Sequence, residues 1–344
     1  MALNLTTLNA KISAYVTKKG LEVAEYRDIY GRFGALPVPR KDDVPMNMST
    51  TVQWFRYEHL PLATAPISRG ITPDAVKATR TDITANLVQY GSYVLLDDVT
   101  IMTVEDPLLD IEGDRCATQA IRSINVIREG VLQAGTNITY ANGAAITDVN
   151  TLISRDMITK TVRTLGINMG RRLTKILSAT NGFNTTPIPA SYVSVCHSYV
   201  KWDVRYTIGE AQGFIPKEKY ARNEEGLPNE FGECGDVRFL EHEEMTYSAD
   251  GGGAKGGGHK STGAVKEDVF YTLIFSEESY GTAMLGGYKG GRKGDGIKMI
   301  VKNIGSGGTE DALDQRASVG WKALLTTQRL NENWMANILS GASS

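Results

Sequence analysis

Three cysteines in 344 residues, Cys116, Cys196 and Cys234, are too few and too widely spaced for a disulfide frame or a zinc site. They read as small buried hydrophobes of a reducing compartment, so synthesis in a cytoplasm is expected. No run of about 18 apolar residues occurs, and no membrane-spanning helix is expected. The opening MALNLTTLNAKISAY has neither a charged n-region nor an apolar h-region, so it is not expected to be a secretory signal. A basic excess is missing as well. With 37 Lys and Arg against 39 Asp and Glu, the net charge of −2 excludes a nucleic-acid binder that works mainly by neutralising phosphates.

Reactive constellations are equally scarce. Only four histidines are present, His59, His197, His242 and His259, and none stands in a Ser/His/Asp or Cys/His order. Cys196 and His197 are adjacent, but neighbours in a strand point to opposite faces. His242-Glu243-Glu244-Met245-Thr246 opens like a metalloprotease motif, yet Thr246 stands where the second imidazole is needed to hold zinc. GGGHKS, Gly256 to Ser261, approaches a phosphate-cradling loop but lacks the strand-then-helix context. GGYKGGRKGDG, Gly286 to Gly296, has dinucleotide-like glycine spacing but precedes a strand, and reads as a basic, mobile loop. Its Lys289, Arg292 and Lys293 suit solvent, a phosphate backbone or a neighbour's carboxylates. Catalytic residues, cofactors and metals are therefore expected to be absent.

What is present is enough apolar material to fold, 41% of the residues, arranged around one long stretch. From Pro107 to Ala134, Leu109, Gly113, Cys116, Ala120, Ile124, Ile127, Val131 and Ala134 recur at steps of three and four. Asp110, Asp114, Arg115, Arg122, Arg128 and Glu129 fall mostly off that stripe. The pattern predicts a spine helix of about 42 Å, capped by Asp106 and ended by a left-handed Gly135.

Before the spine, residues 1–48 read as an arm that needs a surface to lie on. A short helix is expected from Leu8 to Tyr30, and Pro37, Pro39 and Pro45 then forbid regular structure. TTVQWFRYEHL and Val76 to Tyr93 read as the two strands of a long hairpin, with a broad Pro/Gly-rich tip. Such a ribbon is marginal alone in water and is expected to lie on a neighbouring molecule, touching little of its own core. After the spine come a turn or edge strand over Gly135 to Asn142 and a helix capped by Asn150. A third amphipathic run, RRLTKILSAT, follows. YVSVCH, Val237 to His242, DVFYTLIFS and IKMIVKNI read as strands; YVKWDVRYTIGE as a helix or an extended exit. SEESYGTAML carries a capping-box pattern and suggests a short helix. Asp250 to Gly263, with seven glycines, reads as a flexible, dispensable surface loop. The last stretch, ASVGWKALLTTQRLNENWMANILS, supplies one or two more strands. Helices in the middle and strands at both ends make an α+β chain.

This order resembles the major capsid protein of tailed bacteriophages, the Hong Kong 97 fold, and in particular its schitovirus-like branch. The resemblance is carried by Pro45, Val52, Arg56, Pro61-Leu62, Gly70, Thr72-Pro73, Gln89-Tyr90-Gly91, Asp97 or Asp98, and Asp106-Pro107. It continues through Arg128, Leu132, Gly135-Thr136, Tyr140-Ala141, His197, Asp203, Arg205, Phe214, Tyr220, Gly232-Glu233-Cys234-Gly235 and Val237-Arg238-Phe239. Departures are Arg69, where the family tends to be acidic, Cys234 in place of a branched aliphatic, and the insert at 250–263.

The resemblance implies an N-terminal arm (1–48), an extended hairpin or E-loop (49–96) and a P-domain (97–189) holding the spine (107–134). An A-domain-like lobe (190–302) with the glycine-rich insert follows, then C-terminal strands (303–344) returning to the P-domain. It implies self-assembly into pentamers and hexamers of an icosahedral head shell around packaged double-stranded DNA, touched non-specifically at the inner surface. Portal, scaffold and decoration proteins would be further partners; no membrane would be. An encapsulin-like nanocompartment around an enzyme cargo is the alternative. Candidate contacts between subunits are Arg56, Glu58, Arg69, Arg80 and Asp82. A covalently sealed shell is not expected, because Lys77 is the hairpin's only lysine and lies away from the tip.

Overall fold

The computed structural model describes residues 29–30, 40–44, 49–64, 66, 75–174, 186–220, 226–285, 297–306, 311 and 313–344. The expected helix over Leu8 to Tyr30 lies outside them apart from Ile29 and Tyr30. So do Arg69 and Gly70 of the hairpin tip and the basic loop with Lys289, Arg292 and Lys293.

In chain order the first half contains β1 (Arg40–Val44), β2 (Thr51–Tyr57), β3 (Arg80–Asn86), β4 (Val88–Asp97), α1 (Asp98–Thr103) and α2 (Leu108–Gln133). The middle contains β5 (Ile138–Tyr140), α3 (Arg155–Ile167), β6 (Tyr192–His197), α4 (Ser198–Trp202), β7 (Ile215–Pro216), β8 (Glu230–Cys234) and β9 (Val237–His242). Strands β10 (Phe270–Phe275), β11 (Tyr280–Leu285), β12 (Ile297–Lys302), β13 (Arg316–Arg329) and β14 (Met335–Ser340) complete the fold.

A five-stranded sheet is organised on β13, of whose 14 residues ten, Arg316 to Leu325, pair antiparallel with β4 along one edge. The opposite edge takes β12 and then β11, and β1 joins β11 in parallel. Successive side chains alternate between faces. Val319, Trp321, Ala323 and Leu325 of β13 therefore meet Cys116, Ala117, Ala120, Ile121 and Ile124 of the spine helix α2. Leu324, with Ala283 and Leu285 of β11, points the other way and meets Val52, Trp54 and Leu87 of the hairpin base.

The seven-stranded sheet has the order β5-β14-β10-β6-β9-β8-β7. Both of its faces are covered, which is why YVSVCH and FYTLIF read as unbroken apolar runs. One face packs on α3 through Met157, Ile158 and Leu165; the other receives Leu132 at the end of the spine. The spine thus crosses from one sheet to the other.

Several sequence expectations are corrected. The spine starts after Pro107, which stands at the cap position with no side-chain cap. Gly135 does not adopt a left-handed backbone. It is small for another reason: a Cβ there would come 3.1 Å from Met335 Cε and 3.5 Å from Asn337 Nδ2. The helix end is closed instead by side chains from strands. Arg329 Nη1 donates to Val131 O at 2.7 Å, and Asn337 Nδ2 to Gln133 O at 2.9 Å. Arg128 and Glu129, expected on the outer face, are fully buried, while Ala134 of the stripe is exposed. Near its end the helix lies between two sheets, so a second side is covered.

The second hairpin strand divides at Leu87, which turns into the core, so that β3 pairs with β2 and β4 joins the five-stranded sheet. The helix α3 begins at Arg155 after Ser154, because Thr151 and Leu152 are engaged by Gly341. SEESYGTAML is a turn and then β11: pairing with β13 overrides the local capping pattern. Arg171 to Thr174 are not helical, and the remainder of RRLTKILSAT lies outside the described residues. Between its prolines the arm forms β1. Asp250 to Gly263 is not a free loop: Gly252 N donates to Glu267 O, Gly253 N to Val149 O and Lys255 N to Val265 O. The buried Asp268 carboxylate accepts from Asp250 N, Thr262 N and Thr262 Oγ1.

Asn337→Ala removes the buried donor for Gln133 O without opening a large cavity. Urea unfolding of the soluble chain is expected to show a loss of about 1–3 kcal/mol.

Candidate functional site

Strand pairing gives the β2–β3 hairpin two unlike faces. Val52 opposite Ala85 and Trp54 opposite Ile83 turn towards the chain's own five-stranded sheet. Trp54 is buried, and its Nε1 donates to Asp42 Oδ2 at 2.6 Å. The expectation that the hairpin touches little of its own core is therefore corrected at its base. The other face carries Phe55 opposite Asp82 and Tyr57 opposite Arg80. Phe55 is 41% exposed and Tyr57 70%, and the tip residue Leu62 reaches 88%.

The candidate contact residues pair within the hairpin. Arg56 Nη2 lies 2.8 Å from Glu58 Oε1, and Thr81 Oγ1 donates to the same oxygen at 3.1 Å. Arg56 also anchors the ribbon by donating from Nη1 to Leu330 O at 3.1 Å. Arg80 Nε lies 2.7 Å from Asp82 Oδ1, and the Arg80 guanidinium sits 4.4 Å over the Phe55 ring. Hydrogen bonds from Arg56 and Thr81 hold the Glu58 carboxyl below its ordinary range, and the bond to Asp82 raises Arg80. The structure brings these four charges together in two pairs, one on each face; Arg69 lies outside the described residues.

The outward hairpin face is one of several uncovered apolar surfaces. Tyr93 and Leu95 project from the outer face of β4, and Val99 and Met102 from α1. Trp202 and Tyr206 stack with ring centroids 5.4 Å apart on the surface of the lobe. Sequence reasoning missed Tyr57, Tyr93 and Tyr206. Their signal was an aromatic residue alternating with, or one helical turn from, buried positions.

The interior of the lobe is polar in places. Glu230 takes two bonds from Arg238, at 2.6 and 2.5 Å, and one from Tyr220 Oη at 2.8 Å. The buried Glu129 carboxylate meets His242 Nδ1 at 2.8 Å and accepts from Thr246 N and Oγ1, both at 2.9 Å. Burial pushes the Cys196 thiol far up and the Cys234 thiol to about 11, so both are inert as nucleophiles. Among the described residues no group of three or more His, Cys, Asp or Glu could hold a metal ion. No described helix is long and apolar enough to cross a membrane.

A spine helix shared by two sheets, with a hairpin projecting from one of them, is the α+β architecture of bacteriophage capsid chains, the Hong Kong 97-like fold. The capsid of Ralstonia phage GP4 superposes with a TM-score of 0.64 at 12% identity, over 90% of this chain and 88% of that one. The head structure of Helicobacter pylori bacteriophage KHP40 gives 0.57 at 10% identity, over 92% and 91%. Neither a family model nor a curated protein matches the chain.

Burial also pushes the Glu233 carboxyl up from 4.5 to about 7, against the lowering effect of its bond from Asp236 N. The folded chain holds a proton there that the unfolded chain has already released between those pH values. This contribution to stability is therefore present below about pH 4.5 and is lost as pH rises through about 7. Glu233→Gln, which keeps the acceptor for Asp236 N, is expected to remove that dependence. Denaturation at pH 5 and pH 8 should show a relative gain for the variant, on the order of 3 kcal/mol at the higher pH.

Proposed function

We propose that this chain is the major capsid protein of a tailed bacteriophage, a structural and non-enzymatic subunit that assembles with copies of itself into the head shell. The observation that carries the reading is the match of the fold to phage capsid chains over 90–92% of this chain. The subunit's own surface is consistent with it. A ribbon anchored at its base and apolar on its outward face gains stability when a neighbour covers that face.

Within this reading the copies form pentamers and hexamers of an icosahedral shell enclosing double-stranded DNA, which touches the inner surface without sequence preference. Subunits would be made and assembled in the host cytoplasm, with portal, scaffold and decoration proteins as further partners. The spaced residues from Pro45 to Phe239 support the schitovirus-like branch. The divisions 1–48, 49–96, 97–189, 190–302 and 303–344 serve as arm, E-loop, P-domain, A-domain and returning strands. Arg56, Glu58, Arg69, Arg80 and Asp82 remain the candidate charged contacts, beside Phe55 and Tyr57. The encapsulin-like alternative draws no support from these comparisons.

Electron microscopy of the expressed chain is expected to show closed shells. A second measurement isolates the hairpin: Tyr57→Asp with Leu62→Asp should abolish shells while circular dichroism and the soluble fraction stay unchanged. Chains that remain monomeric under every assembly condition would overturn the reading.

Without covalent links between subunits, particles boiled in detergent should run as a single band near 37 kDa on a denaturing gel. A ladder of multimers would overturn that expectation.

A further inference from the structure

The glycine-rich insert has a partner within the chain. Beyond β14, residues 341–344 run on in extended form through a cleft between Thr151–Leu152, Gly258–Lys260 and Asp203. Gly341 N donates to Thr151 O at 2.9 Å, Lys260 N to Ala342 O at 2.8 Å, and Ser344 N to Gly258 O at 2.9 Å. Ser343 gives the buried Asp203 carboxylate two bonds, from its N at 3.0 Å and from its hydroxyl.

The cleft is selective for small residues. A Cβ at Gly341 would stand 1.4 Å from Glu267 Oε1, and Ala342 is completely buried. Glu267 is itself fully buried and is held by His259 Nδ1 at 2.8 Å. Larger side chains at these two positions would have to displace that pair or the cleft wall. Ordering a segment with seven glycines costs more backbone entropy than an average loop. The bonds to residues 341–344 and the buried acids beneath them add to the backbone bonds with Val149, Val265 and Glu267 in offsetting that cost.

We propose that residues 248–268, with Thr151 and Asp203, form a peptide clamp whose ligand is the Gly-Ala-Ser-Ser segment 341–344 of the same chain. Seating the segment closes the glycine-rich lobe over the edge of the seven-stranded sheet; withdrawing it leaves the lobe open. The ligand is a short extended peptide with glycine first and alanine second, read by backbone hydrogen bonds and by lack of room for side chains. On this proposal the contact is exchangeable, and a peptide of the same sequence should occupy the cleft in trans.

Trypsin reports the state of the lobe through Lys255, Lys260 and Lys266, and soluble subunits suffice, so the result does not depend on shell formation. A chain ending at Ser340 is expected to be cut in the lobe at least tenfold faster than the full chain. Millimolar Ser-Gly-Ala-Ser-Ser peptide should slow the cutting again. An unchanged rate, or faster cutting that the peptide does not slow, overturns the clamp. Should the shortened chain fail to fold, Gly341→Ala in the full chain replaces it, because its methyl meets Glu267 and lifts the segment. Faster lobe cleavage in that variant, with the same unfolding midpoint for the rest of the chain, supports the proposal. A wild-type rate overturns it.

Discussion

A helix that ends inside a protein must find donors for its last carbonyls, and the spine ends between two sheets. The donors are Arg329, at the last position of β13, and Asn337, in the middle of β14. These strands belong to different sheets, so one helix terminus ties the two sheets of the chain together. Sliding either strand by one residue would turn the donor to the opposite face and leave buried carbonyls unpaired. The Arg329 guanidinium is held in turn by Glu332, in the turn that leads from one strand to the other. Gly135 completes the joint by letting Met335 and Asn337 approach the chain as it leaves the helix.

The buried charges of the lobe are joints of a second kind. Breaking a buried ion pair costs about 3–5 kcal/mol, whereas replacing it whole by apolar residues is often neutral. A pair such as Arg238–Glu230, with Tyr220 as a third member, therefore does more to fix one arrangement than to raise stability. It ties β9 to β8 and to the loop carrying Tyr220, where apolar contacts alone would tolerate small shifts. Glu129 does this between the spine and the turn after β9, through His242 and Thr246.

Much of the fold was legible because it rests on periodicity. The spine stripe states which side of the helix is buried, and the continuous apolar runs of β6 and β10 state that both faces of those strands are. What was not legible depends on residues far apart in sequence. Nothing near Glu129 says that Thr246 will meet it, so a charged residue beside an apolar stripe was assigned to solvent. SEESYGTAML has helical end chemistry, but β13, about 40 residues on, offered a ladder of hydrogen bonds. Arg56, Glu58, Arg80 and Asp82 were visible as hairpin charges; their pairing followed only from the register, which sets Arg56 against Thr81 and Phe55 against Asp82. Among the residues carrying the family resemblance, Arg128, Leu132, Asp203, Tyr220, Glu233 and Arg238 are buried.

The hairpin follows the opposite logic from the lobe. Its inner face is fixed by Trp54, the Trp54–Asp42 bond and the Arg56 contact to Leu330 O, which set the direction in which the ribbon leaves the five-stranded sheet. Its outer face keeps Phe55 and Tyr57 in water, with Arg80 laid over Phe55 and held there by Asp82. Covering two aromatic rings contributes on the order of 25 cal/mol for each Å² removed from water. A single such contact is weak once the cost of association is met. In the proposed shell each subunit would both give and receive it, so the modest gain would recur at every contact while the ribbon's direction is already fixed by the fold. Anchoring the base and leaving the far face bare thus puts the conformational cost into folding and leaves the apolar gain for whatever covers that face, a neighbouring copy in the proposed shell.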